Sequence, residues 1–303
     1  MPTTTRDDKD GHVTSVYKNE KARREVRSWC VNRIADWDFA HVRSEVVTSA
    51  GATGVVTAGP EPRGGEPDVV LLPGTNMNAA LCLPLVEAMA RERRVTILDL
   101  PGQPGLSAGG RPRARRMSWY GNWLSEALAQ SVPGPAVLVG HSLGGAVALA
   151  CDAPRIVGRV LLSGAGITRL RIPVPLMAAT VPWLLRPSVA RSTALLRHMA
   201  APGRGELPGG LGVWMDLVAR CCRTSLAPAP LPSDLLERRR SVPTLVATGR
   251  FDPFLPPHTL GPAARRRLGA EFRVIEGAGH LLLDEAPVEV CAVVEEFCAA
   301  LGD

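Results

Sequence analysis

The chain has 303 residues, 46% of them hydrophobic and 21% charged, and its formal net charge of +6 comes almost wholly from arginine. That size and composition fit one large α/β domain, or a core with an inserted lobe, and exclude a disordered chain. No apolar stretch approaches the roughly 20 residues of a bilayer span, Met1 to Gly11 are polar rather than signal-like, and the seven irregularly spaced cysteines form neither a disulfide framework nor a metal-ligand pattern. The expectation is a cytoplasmic protein with no metal, cofactor or membrane partner.

Residues 1–15 read as a disordered tail, and residues 15–37 carry Val16, Ala22, Val26, Trp29, Cys30 and Ile34 at helical spacing, an accessory helix that closes an N-terminal segment of residues 1–40. Two strand-like runs, 42–48 and 54–58, are joined by the turn Ser49-Ala50-Gly51 and predict an antiparallel sheet edge. After a Pro/Gly loop, Val69 to Leu72 is an apolar run typical of a strand buried on both faces, and it ends in Pro73-Gly74. A helix is predicted over 77–91, a buried strand over 95–98, a turn-rich loop from Asp99 to Ser107, and a helix over 117–129 with Trp119 and Trp123 on adjacent turns.

The next run, Ala136 to Val139, leads into Gly140-His141-Ser142-Leu143-Gly144 and then into the small-residue stretch Gly145 to Ala150. A serine between strand and helix is held on a sharp, strained turn with its hydroxyl at the carboxyl end of a parallel sheet, so Ser142 is a candidate nucleophile. A fourth buried strand is predicted over 157–163. The rhythm then stops for about 70 residues in which prolines punctuate short apolar helices, and residues 167–238 read as a helical cap or lid. It resumes with a strand over 244–248, a helix near 258–268, a strand over 272–276 and a terminal helix over 287–301. The core is therefore assigned to residues 41–166 and 239–303. Its alternating elements predict a mostly parallel sheet with helices on both faces and ligands at the carboxyl ends of the strands.

A serine hydroxyl is a poor nucleophile at neutral pH and needs a base, and that base needs an acid to orient it. Asp252, in Arg250-Phe251-Asp252-Pro253, and His280, in Gly277-Ala278-Gly279-His280, each follow a predicted strand. The order Ser142, Asp252, His280 is the one this strand-turn-helix arrangement uses. Asp216 and Asp234 are rivals that fall in the cap, Asp152 falls on the wrong side of the helix after Ser142, and His141 is read as packing. Cys221-Cys222 receives no role.

With these motifs the chain resembles the α/β-hydrolase family over nearly its whole length, from about Val42 to Leu301, the cap being the variable part. Gly140 to Gly144 resembles the nucleophile elbow, Asp252-Pro253 the acid after its strand, and His280 with Glu285-Ala286-Pro287 the histidine loop. Asp99 to Ser107 is similar to the family's D-x-x-G-x-G-x-S loop, with Gln103-Pro104 adding a residue where a His-Gly pair is usual. Pro73-Gly74 stands where the family commonly has His-Gly. The resemblance implies an α/β-hydrolase fold and an oxyanion hole made by the backbone amides of Thr75 and Leu143.

Asn76 reads either as a polar group of the pocket or as a helix N-cap. Trp183, Trp214, Met177, Met199 and Met215 read either as the wall of an apolar acyl pocket or as the core of the cap. The arginine clusters at 111–116, 238–240 and 265–267 lack interleaved aromatics, which argues against nucleic acid; they read as solvated faces or as a docking patch for a phosphate-bearing carrier. The expected activity is serine hydrolysis of an ester, thioester or lactone with an apolar acyl part, on a small-molecule substrate that is free or carrier-protein-bound. The alternative is a thioesterase-like cyclase or acyltransferase of specialised metabolism, in which an internal nucleophile replaces water. A third reading is a binding protein on a retired hydrolase scaffold. No feature of the sequence speaks to its oligomeric state.

Overall fold

The computed structural model describes residues 13–203, 210–223 and 228–302. Most of the expected N-terminal tail and Pro208 of the cap therefore lie outside the described residues. Ten strands and eleven α-helices follow one another among those described. Eight strands form one sheet, in the spatial order β10-β9-β8-β7-β4-β5-β3-β2. In chain order these are β2 (His41–Thr48), β3 (Gly51–Ala58), β4 (Asp68–Leu72), β5 (Val95–Leu98), β7 (Ala136–His141), β8 (Ile156–Leu162), β9 (Thr244–Gly249) and β10 (Glu271–Ile275). The strands from β10 to β5 run parallel, while β3 pairs antiparallel with both β2 and β5. The sheet edge predicted from the two runs before Ala58 is thus an antiparallel hairpin.

The central strands are apolar at every position because both of their faces are covered. Val69 and Leu71 of β4 join the cluster formed with α2 (Leu83–Met89) and α11 (Pro287–Ala300). Val70 and Leu72 point the other way, into the cluster formed with α3 (Arg116–Ser131), α4 (Leu143–Ala150) and α9 (Pro257–Leu268). A period of two along each strand therefore feeds two cores.

Three local expectations change. The helix expected over 77–91 is broken into a 3₁₀ turn at Ala79–Leu81 and the short α2, which starts at Leu83-Pro84 because proline, lacking an N–H, suits only a first turn. Residues 13–15, read as tail, form β1 (Val13–Ser15), which pairs with β6 (Gly110–Pro112); this pairing is made by backbone groups and leaves no apolar pattern in the sequence. The accessory helix α1 (Glu20–Ala35) is shorter than expected and starts where Asn19 accepts from the Ala22 N–H.

The segment after β8 holds α5 (Val174–Leu185), α6 (Val189–Arg197), α7 (Leu211–Cys221) and α8 (Ser233–Arg238). Helices α5, α6 and α7 pack on one another, and Trp214 of α7 packs on Trp29 of α1 with ring centres 4.6 Å apart. Helix α8 packs instead on α9, with Leu236 in the core cluster of that side.

Candidate active site

Ser142 stands between β7 and α4 with φ of 50°, a left-handed value costly for a residue with a side chain. Two glycines make room for it. A β-carbon at Gly144 would lie 2.0 Å from the Leu72 carbonyl oxygen, and one at Gly140 would lie 2.6 Å from the Gly144 carbonyl oxygen. Strand and helix therefore close onto each other, and the turn is anchored further by the Ser142 carbonyl, which accepts from the N–H groups of Gly145 and Ala165.

The three side chains expected to act together do lie in one hydrogen-bonded row. Ser142 Oγ is 3.1 Å from His280 Nε2, and His280 Nδ1 is 2.9 Å from Asp252 Oδ2. A carboxylate only accepts, so Nδ1 carries the proton and Nε2 is the acceptor facing the serine hydroxyl. Oδ1 of Asp252 takes the N–H groups of Phe254 and Leu255, and Oδ2 also takes the Thr248 hydroxyl. Burial alone would raise the Asp252 pKa, but His280 and these donors outweigh it and hold the carboxyl well below the usual carboxylate range. In such a row a proton leaving Ser142 has a base within reach, and the resulting imidazolium has an ionised partner.

Thr75 follows Gly74, where a β-carbon would stand 3.2 Å from Ser142 Cβ, so this loop lies against the turn. Leu143 opens α4, and the N–H groups of a helix's first turn have no carbonyl partner within the helix. Asn76 is not a helix cap. Its φ of 61° is left-handed, its N–H donates to Gln103 Oε1 at 3.0 Å, and its carbonyl accepts from the Trp214 indole N–H at 2.6 Å.

A cavity of about 350 Å³ opens above Ser142. Thr75, Asn76 and His280 bring polar groups to it, while Trp183, Leu196 and Met215 are part of its apolar wall. Met177 and Met199 line it as well, so all three methionines singled out in the sequence reach it. Trp183 borders the cavity with its indole N–H bound to Ser192 Oγ and the Met215 carbonyl. Trp214, expected in the same wall, lies behind it, fully buried, and its indole serves the Asn76 backbone.

Gln103, Glu285 and His141 have no part in the site as read from the sequence, and Trp214 has a different one. Gln103 and Trp214 hold the Asn76 loop from opposite sides. Glu285 accepts from the N–H groups of Gly279 and Ala201, tying the His280 loop to the segment that follows α6. His141 is buried, and its Nε2–H donates to the His280 carbonyl at 2.9 Å. Burial, and then the neighbouring His280, push the His141 pKa down to about 3, so it is neutral at pH 7. All seven cysteines are free and six are buried. Among the described residues no group of three or more His, Cys, Asp or Glu is placed to hold a metal ion, and no helix is long and apolar enough to cross a membrane.

The family model described as the alpha/beta hydrolase family matches residues 69–293, a span that holds the elbow, Asp252 and His280. The chain belongs to the alpha/beta hydrolase family. This hydrolase is similar to the pimeloyl-[acyl-carrier protein] methyl ester esterase of Vibrio campbellii, with 33% identity covering 78% of the chain and 96% of the relative. The protein of the same name from Aeromonas hydrophila subsp. hydrophila is 27% identical, over 77% of the chain and 96% of its own length. In fold the hydrolase is similar to naproxen esterase (carboxylesterase NP) from Bacillus subtilis, with a TM-score of 0.74 and 20% identity over 92% of this chain and 98% of that one.

Proposed function

We propose that this hydrolase cleaves esters with an apolar acyl part through an acyl-enzyme on Ser142. The observation that carries the reading is the row Asp252, His280, Ser142 opening onto a cavity with a largely apolar wall. The similarity to proteins named as methyl ester esterases supports the bond type.

In this reading Ser142 Oγ attacks the carbonyl carbon while its proton passes to His280 Nε2. The oxygen of the tetrahedral intermediate takes the N–H groups of Thr75 and Leu143, each contributing on the order of 3 kcal/mol to lowering the barrier. His280 then gives its proton to the departing alkoxide. Water, deprotonated by the same nitrogen, attacks the acyl carbon and frees the acid and the serine. Asp252 keeps the ring in the tautomer that both steps need. Oxygen esters, thioesters and lactones all share this chemistry.

Ser142→Ala is the test. It is expected to lower p-nitrophenyl ester turnover by at least about 10³-fold and to end labelling by a fluorophosphonate probe, with the circular dichroism spectrum unchanged. Turnover or labelling that survives the substitution would overturn the assignment.

A further inference from the structure

Helix α5 forms part of the cavity wall, yet its other side faces solvent with nothing polar on it. From Ile172 to Leu185 the chain carries no charged residue, and Thr180 is its only hydroxyl. Within α5 only Leu176 and Trp183 are buried. Val174, Met177, Val181, Leu184 and Leu185 are exposed, Val174 by 74% and Leu185 by 76%. Their spacing of three, four, three and one places them on one stripe of the helix. Stripes of this kind mark contact surfaces, because water-exposed apolar patches of this extent are disfavoured on a free protein surface.

Charge identifies what the stripe fits. No aspartate or glutamate occurs between Asp152 and Glu206. Arg169 and Arg171 stand before α5, and Arg186, Arg191 and Arg197 follow it, all of them exposed. Among the described residues none of these five arginines takes part in an ion pair with a carboxylate. An apolar stripe with unneutralised cations at both ends is the pattern of a helix lying in the plane of a membrane surface, its side chains among the acyl chains and its arginines at the phosphates. A second copy of the chain packed through α5 would bring arginines against arginines with no acid in this segment to pair them. An acidic protein partner would meet the arginines but leave the stripe without a counterpart.

We infer that α5 docks this hydrolase on an anionic phospholipid surface. Ile172 and Met177 are both exposed and both line the cavity, so the mouth opens on the docking face and an ester dissolved in the bilayer reaches Ser142 without crossing water. The expectation of no membrane partner rested on the lack of a spanning segment, and a helix lying at an interface needs none.

The test is co-sedimentation with vesicles of equal parts phosphatidylglycerol and phosphatidylcholine, done with Ser142→Ala protein so that binding is read apart from the role of that serine. The protein is expected to bind these vesicles at least about tenfold more tightly than vesicles of phosphatidylcholine alone. The double variant Val181→Glu/Leu185→Glu, at two positions outside the cavity wall, is expected to lose at least about tenfold of that binding. On an active Ser142 background it should keep its turnover of dissolved p-nitrophenyl butyrate and lose it toward a long-chain ester held in the vesicles. Should the double variant fold poorly, Arg169→Gln/Arg171→Gln leaves the helix intact and is expected to weaken binding to the anionic vesicles severalfold. Failure of the unmodified surface to bind anionic vesicles would overturn the inference, as would equal binding by the substituted proteins. It would equally fall if light scattering found a dimer that the double variant dissolves, or if an acidic acyl carrier protein bound the arginines while vesicles did not.

Discussion

Asp252, in the core, accepts from two backbone N–H groups and a threonine hydroxyl besides His280, whereas in the roof above it Trp183 has two partners for its indole N–H and otherwise rests on apolar contact. One region is over-determined by directional bonds and the other is shaped by packing. Hydrogen bonds join the two at many points, and three of these joints are informative. Trp214 holds the Asn76 carbonyl, the Met199 carbonyl takes the His280 N–H, and Glu285 takes the Ala201 N–H. The first two land on loops that border Ser142, and the third reaches the His280 loop through Glu285, which also accepts from the Gly279 N–H. Under the proposed function, packing in the roof chooses the acyl group while the joints hold the reacting atoms in place.

The sharpest way to break this division is in the core. Asp252→Asn keeps the acceptor for Phe254 and Leu255 but turns an amide N–H₂ toward His280, favouring the tautomer that puts the proton on Nε2. kcat for a p-nitrophenyl ester is expected to fall by about 10³- to 10⁴-fold with the melting temperature little changed. A loss below tenfold would mean that the bonds around Asp252 serve the fold alone.

A smaller effect should come from His141, whose pKa of about 3 lies below the roughly 6.5 of an unfolded histidine. Between those values the unfolded chain binds a proton that the native state excludes, so this group's contribution to stability is whole at neutral pH and is lost as pH falls below about 6.5. His141→Gln removes that linkage. In urea unfolding the variant is expected to gain about 2 kcal/mol relative to the parent between pH 7 and pH 5. Asp99 and Asp284, raised by burial to about 6 and about 7, titrate in both proteins and cancel from the comparison. A difference that stays constant with pH would remove the buried neutral ring from the account.

Trp214→Phe tests a joint. It removes the indole N–H that holds the Asn76 carbonyl while keeping an aromatic ring, and the adjacent Thr75 amide should drift. A drop in kcat of about tenfold at little changed KM is expected, against no such drop for Trp29→Phe, which loses similar packing without touching Asn76. Equal effects from the two would reduce the joint to core packing.

The same division decides what could be read from the chain before its fold was known. Val69 to Leu72 and Ala136 to Val139 announce buried strands because each is apolar on both faces, and Ser142 is recognisable because a strand precedes it and a small-residue helix follows. Asp252 and His280 follow from the next strand ends. In the roof the same rule fails for a physical reason: α5 is apolar on both sides, so no periodicity in it tells the cavity face from the exposed one. Trp183 and Trp214 look alike in sequence, and only packing puts one on the cavity and the other behind it. Gln103 acts on the backbone of Asn76 and Glu285 on that of Ala201, both far away in the chain, and such bonds leave no local signature.

The mildest expected effect lies in the roof itself. Leu196 is buried, reaches the cavity from α6, and makes no hydrogen bond through its side chain to any loop around Ser142. Leu196→Ala adds room for acyl carbons without moving the row of three side chains. A methylene fitted into such a wall is worth about 1–3 kcal/mol of discrimination, but part of the new space will be recovered by neighbouring side chains. The ratio of kcat/KM for p-nitrophenyl decanoate to that for the butyrate is therefore expected to rise about three- to tenfold, with kcat for the butyrate unchanged within about twofold. A uniform loss across chain lengths would show that the roof sets the position of His280 as well as the fit of the acyl chain, and the division between a bonded core and a packed roof would have to be redrawn at the end of α6.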